Sequence, residues 1–261
     1  MLASKIVFAL DSIAPASLAA EDDLFGFVIG DLNRDVETVG VAWIPSVKVL
    51  AEAVRQQVDF LIVHEPLFYE EQSFRFPGIE FFEKPSNYFR LKKIFERDMC
   101  VYIARSNYDE CKGGTADLLA DALRISVTEK FRAGRIGSIE DKPLSEIITN
   151  LQGNLTCENI KIVGDVESPR KYSRVGCYVG PGLAYRDIIE EFYLKGCQVL
   201  VSYGLSEENS VYASELGIVL VELERHSVEA PAMHSLAEKL ESALKEVKVK
   251  FFEHESLVAS F

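Results

Sequence analysis

No two cysteines in this chain are spaced C-x-x-C, no apolar run approaches the roughly 20 residues of a membrane span, and basic residues are in deficit. Lysine and arginine number 28 against 41 aspartates and glutamates, for a net charge of −13. The acids are spread along the chain rather than blocked. Each shortage excludes something. Such a surface repels phosphate backbones and anionic membranes, so neither nucleic acid nor membrane is an expected partner. A small ligand remains open, because a bound metal inverts the local potential. Residues 1–5 lead into a short apolar run broken by Asp11, which predicts no secretory signal. The five cysteines, an odd number, are Cys100, Cys111, Cys157, Cys177 and Cys197. Cys100 and Cys197 open apolar runs and Cys177 lies within one. This predicts buried reduced thiols and a cytoplasmic setting. Cys111 sits in a polar stretch near Asp109 and reads as a loop residue, with a nucleophile as the alternative.

What is present is an alternation of strands and helices. Apolar runs predict strands at 25–29, 39–43, 58–63, 100–104, 160–163, 175–179, 199–201, 218–221 and 247–252. Helical spacing predicts helices at 46–57, 88–97, 115–123, 142–151, 183–195 and 207–216. Ser46 and Thr115 are the expected N-caps, and Gly153-Asn154 the expected stop of the fourth. Val47, Leu50, Ala51 and Val54 are expected inward on the first, and Leu91, Ile94 and Phe95 on the second. Pro231 is expected to open a last long helix with Met233, Leu236, Leu240 and Leu244 on one stripe. Residues 69–88 read as an irregular excursion and 130–155 as a crossover.

The length of 261 residues suits two modest domains or one large one. A repeat is visible: helix 46–57, strand, helix 88–97, strand; then helix 183–195, strand, helix 207–216, strand. In each set the strands run out into polar residues. The fold expected is α/β, with two similar halves, 1–130 and 131–261, related by a pseudo-duplication. Ligands in such sheets gather at strand ends, which places a site in the cleft between the halves.

The strand at 58–63 ends in His64-Glu65-Pro66, and the one at 100–104 runs into Asp109. His226 and Glu229 follow the strand at 218–221, three residues apart. Two imidazoles and three carboxylates at strand ends suit a divalent transition metal, or two bridged by a carboxylate. Bland roles compete. His64 reads equally as a hydrogen-bonded strand-end residue, Asp109 as a turn former, and Glu229 as an acid favoured near a helix N-terminus. His234 reads as helix surface beside Glu238, and His254 as a solvated tail.

Several segments, in order, resemble the GTP cyclohydrolase type 2 homologue family, the NGG-interacting-factor-three-like dinuclear metal proteins. They are Pro15-Ala16-Ser17-Leu18-Ala19, Gly26-Phe27-Val28-Ile29-Gly30-Asp31, Asp59 through Phe68, Ser106-Asn107-Tyr108-Asp109 with Gly113-Gly114, Gly134-Arg135-Ile136-Gly137, and Arg225-His226-Ser227-Val228-Glu229. The resemblance implies that His64, Asp109, His226 and Glu229 are metal ligands, with Glu229 bridging. Glu65 stands where the family usually has a second histidine. As a ligand it shifts preference toward iron or manganese and away from zinc; otherwise one metal site is weak or empty, and Glu65 becomes the candidate catalytic base. Arg225 stands where the family often has glycine, which puts a positive charge beside a ligand.

The expected cofactor is therefore iron, zinc or manganese, one or two ions per chain. The expected function is a metal-dependent hydrolase acting on a small molecule such as a nucleotide. The GTP of the family name has no P-loop or guanine-reading pattern behind it in this chain. The alternative is a non-catalytic, regulatory metal-binding scaffold. The resemblance also implies a homohexameric ring, and the aromatic-rich segment from Phe68 to Phe89 is a candidate subunit interface.

Overall fold

The fold grows from strands that are apolar along their whole length. In the computed structural model, which describes residues 1–68, 83–155, 157 and 159–253, the strands form one sheet of five and one of six. The architecture is mixed α/β, as expected.

The first sheet comprises β1 (Gly26–Ile29), β2 (Thr38–Ala42), β3 (Phe60–Val63), β4 (Cys100–Ile103) and β11 (Lys248–Phe252), in the order β1-β4-β3-β2-β11. β11, β2, β3 and β4 run parallel, and β1 closes the edge antiparallel to β4. Every residue of β2, β3 and β4 is buried. That is why these strands read as unbroken apolar runs rather than alternating ones: a parallel sheet is covered on both faces. Asp59, the residue just before β3, accepts from the Glu37 and Thr38 amides and pairs with Arg34 and Arg97.

Helices α1 (Ala3–Ile13), α2 (Val47–Arg55) and α3 (Pro85–Arg97) accompany this sheet. Ser46 caps α2 as expected, accepting from the Val49 amide. The inward stripes differ from expectation. On α2 it is Val49, Leu50 and Ala53 that are buried, and Val47 is exposed. Two overlapping apolar stripes share this helix, and spacing alone does not choose between them. On α3, Ile94 is buried as expected, together with Asn87 and Arg90, whereas Phe95 is 65% exposed. Arg90 goes inward because it donates to the Leu67 carbonyl at 2.6 Å. It thereby holds the loop that carries His64 and Glu65 out of β3.

The second sheet has the order β5-β6-β8-β9-β10-β7. Its strands are β5 (Ser126–Phe131), β6 (Gly134–Pro143), β7 (Lys161–Val163), β8 (Lys171–Tyr178), β9 (Val199–Ser202) and β10 (Val219–Glu222). β8, β9 and β10 are parallel; β5, β6 and β7 add antiparallel. The accompanying helices are α4 (Ser106–Glu110), α5 (Thr115–Ala122), α6 (Leu144–Leu155), α7 (Arg186–Leu194), α8 (Glu207–Leu216) and α9 (Arg225–Ala243). Val199 and Val201 pack with Leu144, Leu151 and Val175, while Leu200 packs with Ile189, Phe192 and Leu220. Alternate residues of β9 thus serve two cores on opposite faces.

Several local expectations are corrected here. Residues 126–143 are a β-hairpin rather than a crossover. Its Ser-Val-Thr-Glu-Lys-Phe strand is largely exposed and polar, so no apolar run announces it. Gly137 is obligatory, because a Cβ there would lie 2.1 Å from the Ser126 carbonyl across the hairpin. Gly114, not Thr115, occupies the N-cap of α5; Thr115 is helical and its buried Oγ1 has no hydrogen-bond partner among the described residues. α6 runs through Gly153 to Leu155, and the Asn154 side chain donates to the Ala122 carbonyl. Pro231 lies inside α9, which starts at Arg225, where the Ser227 amide closes the first turn on the Glu224 carbonyl. Met233, Leu236, Leu240 and Leu244 are buried as expected.

Contacts group the chain into two units, residues 1–108 with 230 onward, and Asp109–Glu229. The grouping follows from β11, which pairs in parallel with β2, Lys248 opposite Thr38 and Phe252 opposite Ala42. The C-terminal segment therefore joins the first sheet, whereas the sequence placed it with 131–229. Each unit has three parallel strands in succession, β2, β3, β4 with α2 and α3, and β8, β9, β10 with α7 and α8. Asp109 and Glu229 are the first and last residues of the second unit.

All five cysteines are buried, Cys111 included, and no disulfide joins them. Burial pushes the Cys177 and Cys197 thiols up to about 12. His234 is exposed on α9 beside Glu238, as expected, with its ring against Phe251. No helix among the described residues is long and apolar enough to cross a membrane. His254 and most of the aromatic segment, 69–82, lie outside the described residues.

Candidate metal centre

β3 delivers His64 into a rigid frame. The His64 and Glu65 amides both donate to the Trp43 carbonyl, at 3.1 and 3.0 Å, and the Ala104 amide donates to Val63 at 2.8 Å. His64 is 3% exposed, and its Nδ1 lies 2.8 Å from the Ala104 carbonyl. A carbonyl only accepts, so Nδ1 carries the proton and Nε2 is the ring nitrogen left able to ligate. A backbone acceptor behind a histidine is the usual way a metal-binding tautomer and ring orientation are set. Glu65 is half-buried.

The Ser106-Asn107-Tyr108-Asp109 segment is not a turn but helix α4. Asn107 is fully buried; its side chain accepts from the Arg105 amide and donates to the Ala14 carbonyl. The Tyr108 hydroxyl donates to the Ala232 carbonyl at 3.0 Å. These two residues hold the helix, and Asp109 follows them, buried. On the second sheet, β8 runs out into the turn Gly180-Pro181-Gly182. Gly180 has φ +114°, a backbone that favours glycine. The Ser202 hydroxyl ties the turn by accepting from Gly182 and donating to the Gly180 carbonyl.

Glu229 lies on α9, 2% exposed. Because α9 begins at Arg225, Arg225 and Glu229 are one turn apart and pair, Nη2 to Oε2 at 2.9 Å. The Tyr203 hydroxyl donates to Glu229 Oε1 and accepts from the Gly180 amide at 2.7 Å. The Arg225 guanidinium lies over the Tyr203 ring, 5.5 Å from its centroid. Burial first, then the charges of Glu229 and Asp109, push the Tyr203 phenol well above its ordinary value. Tyr203 is therefore a fixed proton donor to Glu229. The strand expected at 199–201 runs out at Ser202-Tyr203-Gly204, with no role expected of Tyr203.

Among the described residues, His64, Glu65 and Glu229 each offer a ligand atom, all within 4.8 Å of one another. Asp109 and His226 are not members of that group; Asp109 is buried at the start of the second unit and His226 half-buried on the first turn of α9. One imidazole nitrogen and two carboxylate oxygens fit a divalent transition metal, and the residues present fit the group the sequence implies. The Tyr203→Phe substitution strips a donor from Glu229 and leaves the Gly180 amide without its acceptor. The expected loss is about 1–3 kcal/mol of stability, measured by denaturant unfolding.

Residues 1–256 match the family model described as Duf34/NIF3 (NGG1p interacting factor 3). The chain belongs to this family. A Methanocaldococcus jannaschii protein named GTP cyclohydrolase 1 type 2 homolog is 28% identical over 248 residues, 94% of this chain and 96% of that one. A Bacillus subtilis protein of the same name is 32% identical over 125 residues, 48% of this chain and 32% of that one. Among solved structures, reduced HcgD from Methanocaldococcus jannaschii superposes with a TM-score of 0.82 at 27% identity, covering 97% of this chain and 98% of that one. A Bacillus cereus protein related to NIF3 superposes with a TM-score of 0.83 at 18% identity, covering 100% of this chain and 99% of that one. At that identity the second likeness shows the fold alone. For this DUF34/NIF3 chain, Gly134-Arg135-Ile136-Gly137 proves to be hairpin architecture: Arg135 is 1% exposed and bound to Asp117. The His64 and Glu229 segments contribute the potential ligands.

Proposed function

We propose that this chain is a metal-dependent hydrolase of a small molecule, holding a divalent transition metal through His64, Glu65 and Glu229, with Asp109 and His226 completing the set. The observation that carries this reading is the convergence of one imidazole and two carboxylates within 4.8 Å, with the His64 ring already oriented by Ala104. A divalent ion held there would supply Lewis-acid polarisation of a substrate oxygen and would lower the pKa of water toward neutrality. The chain's own residues do the rest. Ala104 holds the His64 ring in one tautomer, and Tyr203 and Arg225 hold the Glu229 carboxylate in one orientation. Glu65, less buried than either, is the residue placed to move a proton if it does not ligate. The name of the Methanocaldococcus jannaschii relative puts GTP on the substrate panel, alongside other nucleotides and phosphoesters.

The test is metal analysis of protein purified without added metal, followed by that panel and by thermal melts with and without chelator. Copurifying metal, a melt lowered by chelator and turnover lost in His64→Ala support the reading. Metal-free protein whose melt ignores the chelator sinks it.

A second reading is a self-assembling metal-binding scaffold without turnover, a homohexameric ring being the form the family resemblance implies. Tyr88, Phe89 and Phe95 favour it: they stand 53%, 50% and 65% exposed on α3, where water gains nothing from them. Light scattering that gives a monomer, or metal-dependent turnover of any panel compound, would remove it.

A further inference from the structure

The Glu229 carboxylate already holds a cation. Arg225 reaches both of its oxygens, with Nη2 2.9 Å from Oε2 and Nε and Nη2 each 3.2 Å from Oε1. Oε1 also accepts from the Tyr203 hydroxyl. A carboxylate has about four lone-pair directions, so the protein's own donors have claimed those of Oε1. The guanidinium is fixed twice, by this fork and by its place over the Tyr203 ring.

We propose that Arg225 is a built-in monovalent cation at Glu229 that restricts this chain to a single divalent ion. The inference rests on the metal reading above. Charge decides it. The carboxylates of Glu65, Asp109 and Glu229 carry three negative charges, and one divalent ion with one guanidinium balances them. A second divalent ion beside Arg225 leaves two positive charges in excess around a carboxylate that is 2% exposed. The Arg225 side chain is 44% exposed, so water screens part of that repulsion, but the buried carboxylate through which both cations act keeps the rest. Arginine cannot relieve it by losing its proton, as a lysine could. Glu229 would consequently serve an ion only through what Arg225 leaves of Oε2, while Oε1 stays with Tyr203 and Arg225, rather than spanning two ions.

The experiment titrates metal-free protein with Mn²⁺ under anaerobic conditions, read by calorimetry for stoichiometry and by electron paramagnetic resonance for coupling between neighbouring ions. Wild type is expected to take about one Mn²⁺ per chain with an uncoupled spectrum. Arg225→Ala is expected to take a second ion and show spin coupling. Arg225→Gln keeps the side-chain length without the charge and carries the same expectation, so the proposal stays testable if the alanine variant does not fold. Arg225→Lys keeps the charge and is expected to stay at one. Two coupled ions in wild type, or one ion in both neutral variants, overturns the proposal while leaving the metal reading standing. No ion in any of the proteins overturns the metal reading itself.

Discussion

A Glu229→Gln protein is expected to keep its fold and to bind its divalent ion at least about 100-fold more weakly than wild type. The two halves of that expectation have different causes. Glutamine has the same shape, and with its carbonyl oxygen in the Oε1 position it still accepts from the Tyr203 hydroxyl and from Arg225 Nε and Nη2, losing only the Arg225 contact at Oε2. The core around α9, with Val228, Met233 and Leu236 buried, is untouched. What disappears is a negative charge, 2% exposed, from a group that among the described residues has His64 and Glu65 as its other potential ligands. Removing a residue that merely orients a ligand already costs 10–100-fold in metal affinity, so losing the ligand's charge belongs at or beyond the upper end of about that range. Calorimetric titration with Mn²⁺ measures the first half and a thermal melt of the metal-free protein the second. Unchanged affinity would remove Glu229 from the site.

An Asp117→Ala protein is expected to lose about 3–5 kcal/mol of stability, with little direct effect on metal binding. Arg135 is the largest fully buried side chain, 1% exposed, on β6. Its Nε lies 2.5 Å from Asp117, and its remaining donors reach the carbonyls of Gly134 and Glu110. Removing Asp117 leaves that guanidinium buried without its counter-charge, which costs more than the pair contributes. Asp117 itself retains 22% exposure, and entering water offsets part of the loss, so the low end is expected. Burial alone pushes the Asp117 carboxyl up, but the Gly113 amide and Arg135 hold it below its ordinary value. Its contribution is therefore full above the ordinary carboxylate range and lost as pH falls through the lowered value. Denaturant unfolding at neutral and acid pH checks both points. The gap between wild type and Asp117→Ala should narrow as the acid side is reached, and a gap independent of pH would refute the ion-pair account.

Much of the candidate site is legible in the chain. His64 and Glu65 follow a run, Phe60 to Val63, that only a strand covered on both faces explains, and Asp109 follows another at Cys100 to Ile103. What could not be read is equally particular. Pro231 looks like a helix start, yet α9 begins six residues earlier at Arg225. That shift turns a loop reading of Arg225 and Glu229 into a helical pair. Tyr203 carries no local mark of its hydrogen bond to Glu229, 26 residues away. Arg90 sits in an amphipathic helix where spacing favours Phe95 inward, but the Leu67 carbonyl needs a donor and Phe95 has none to give. The hairpin at 126–143 has no apolar period to detect, because its first strand is an exposed edge.

By itself, then, the sequence determined the alternation of strands and helices, the buried parallel strands, and the family through motifs met in order. Period and composition act over a few residues, and the hydrophobic effect reads them locally. Only the tertiary structure decided that β11 joins the first sheet, which donors hold Glu229, and that Glu65 shares a ligand group with His64 and Glu229. The reason is that a buried charge is tolerated only through partners that fold to it, and those partners lie far away in the chain. The residues that depart from the family, Glu65 and Arg225, were visible from the start. What they do to a metal depends on the groups that surround them, and only the fold brings those groups together.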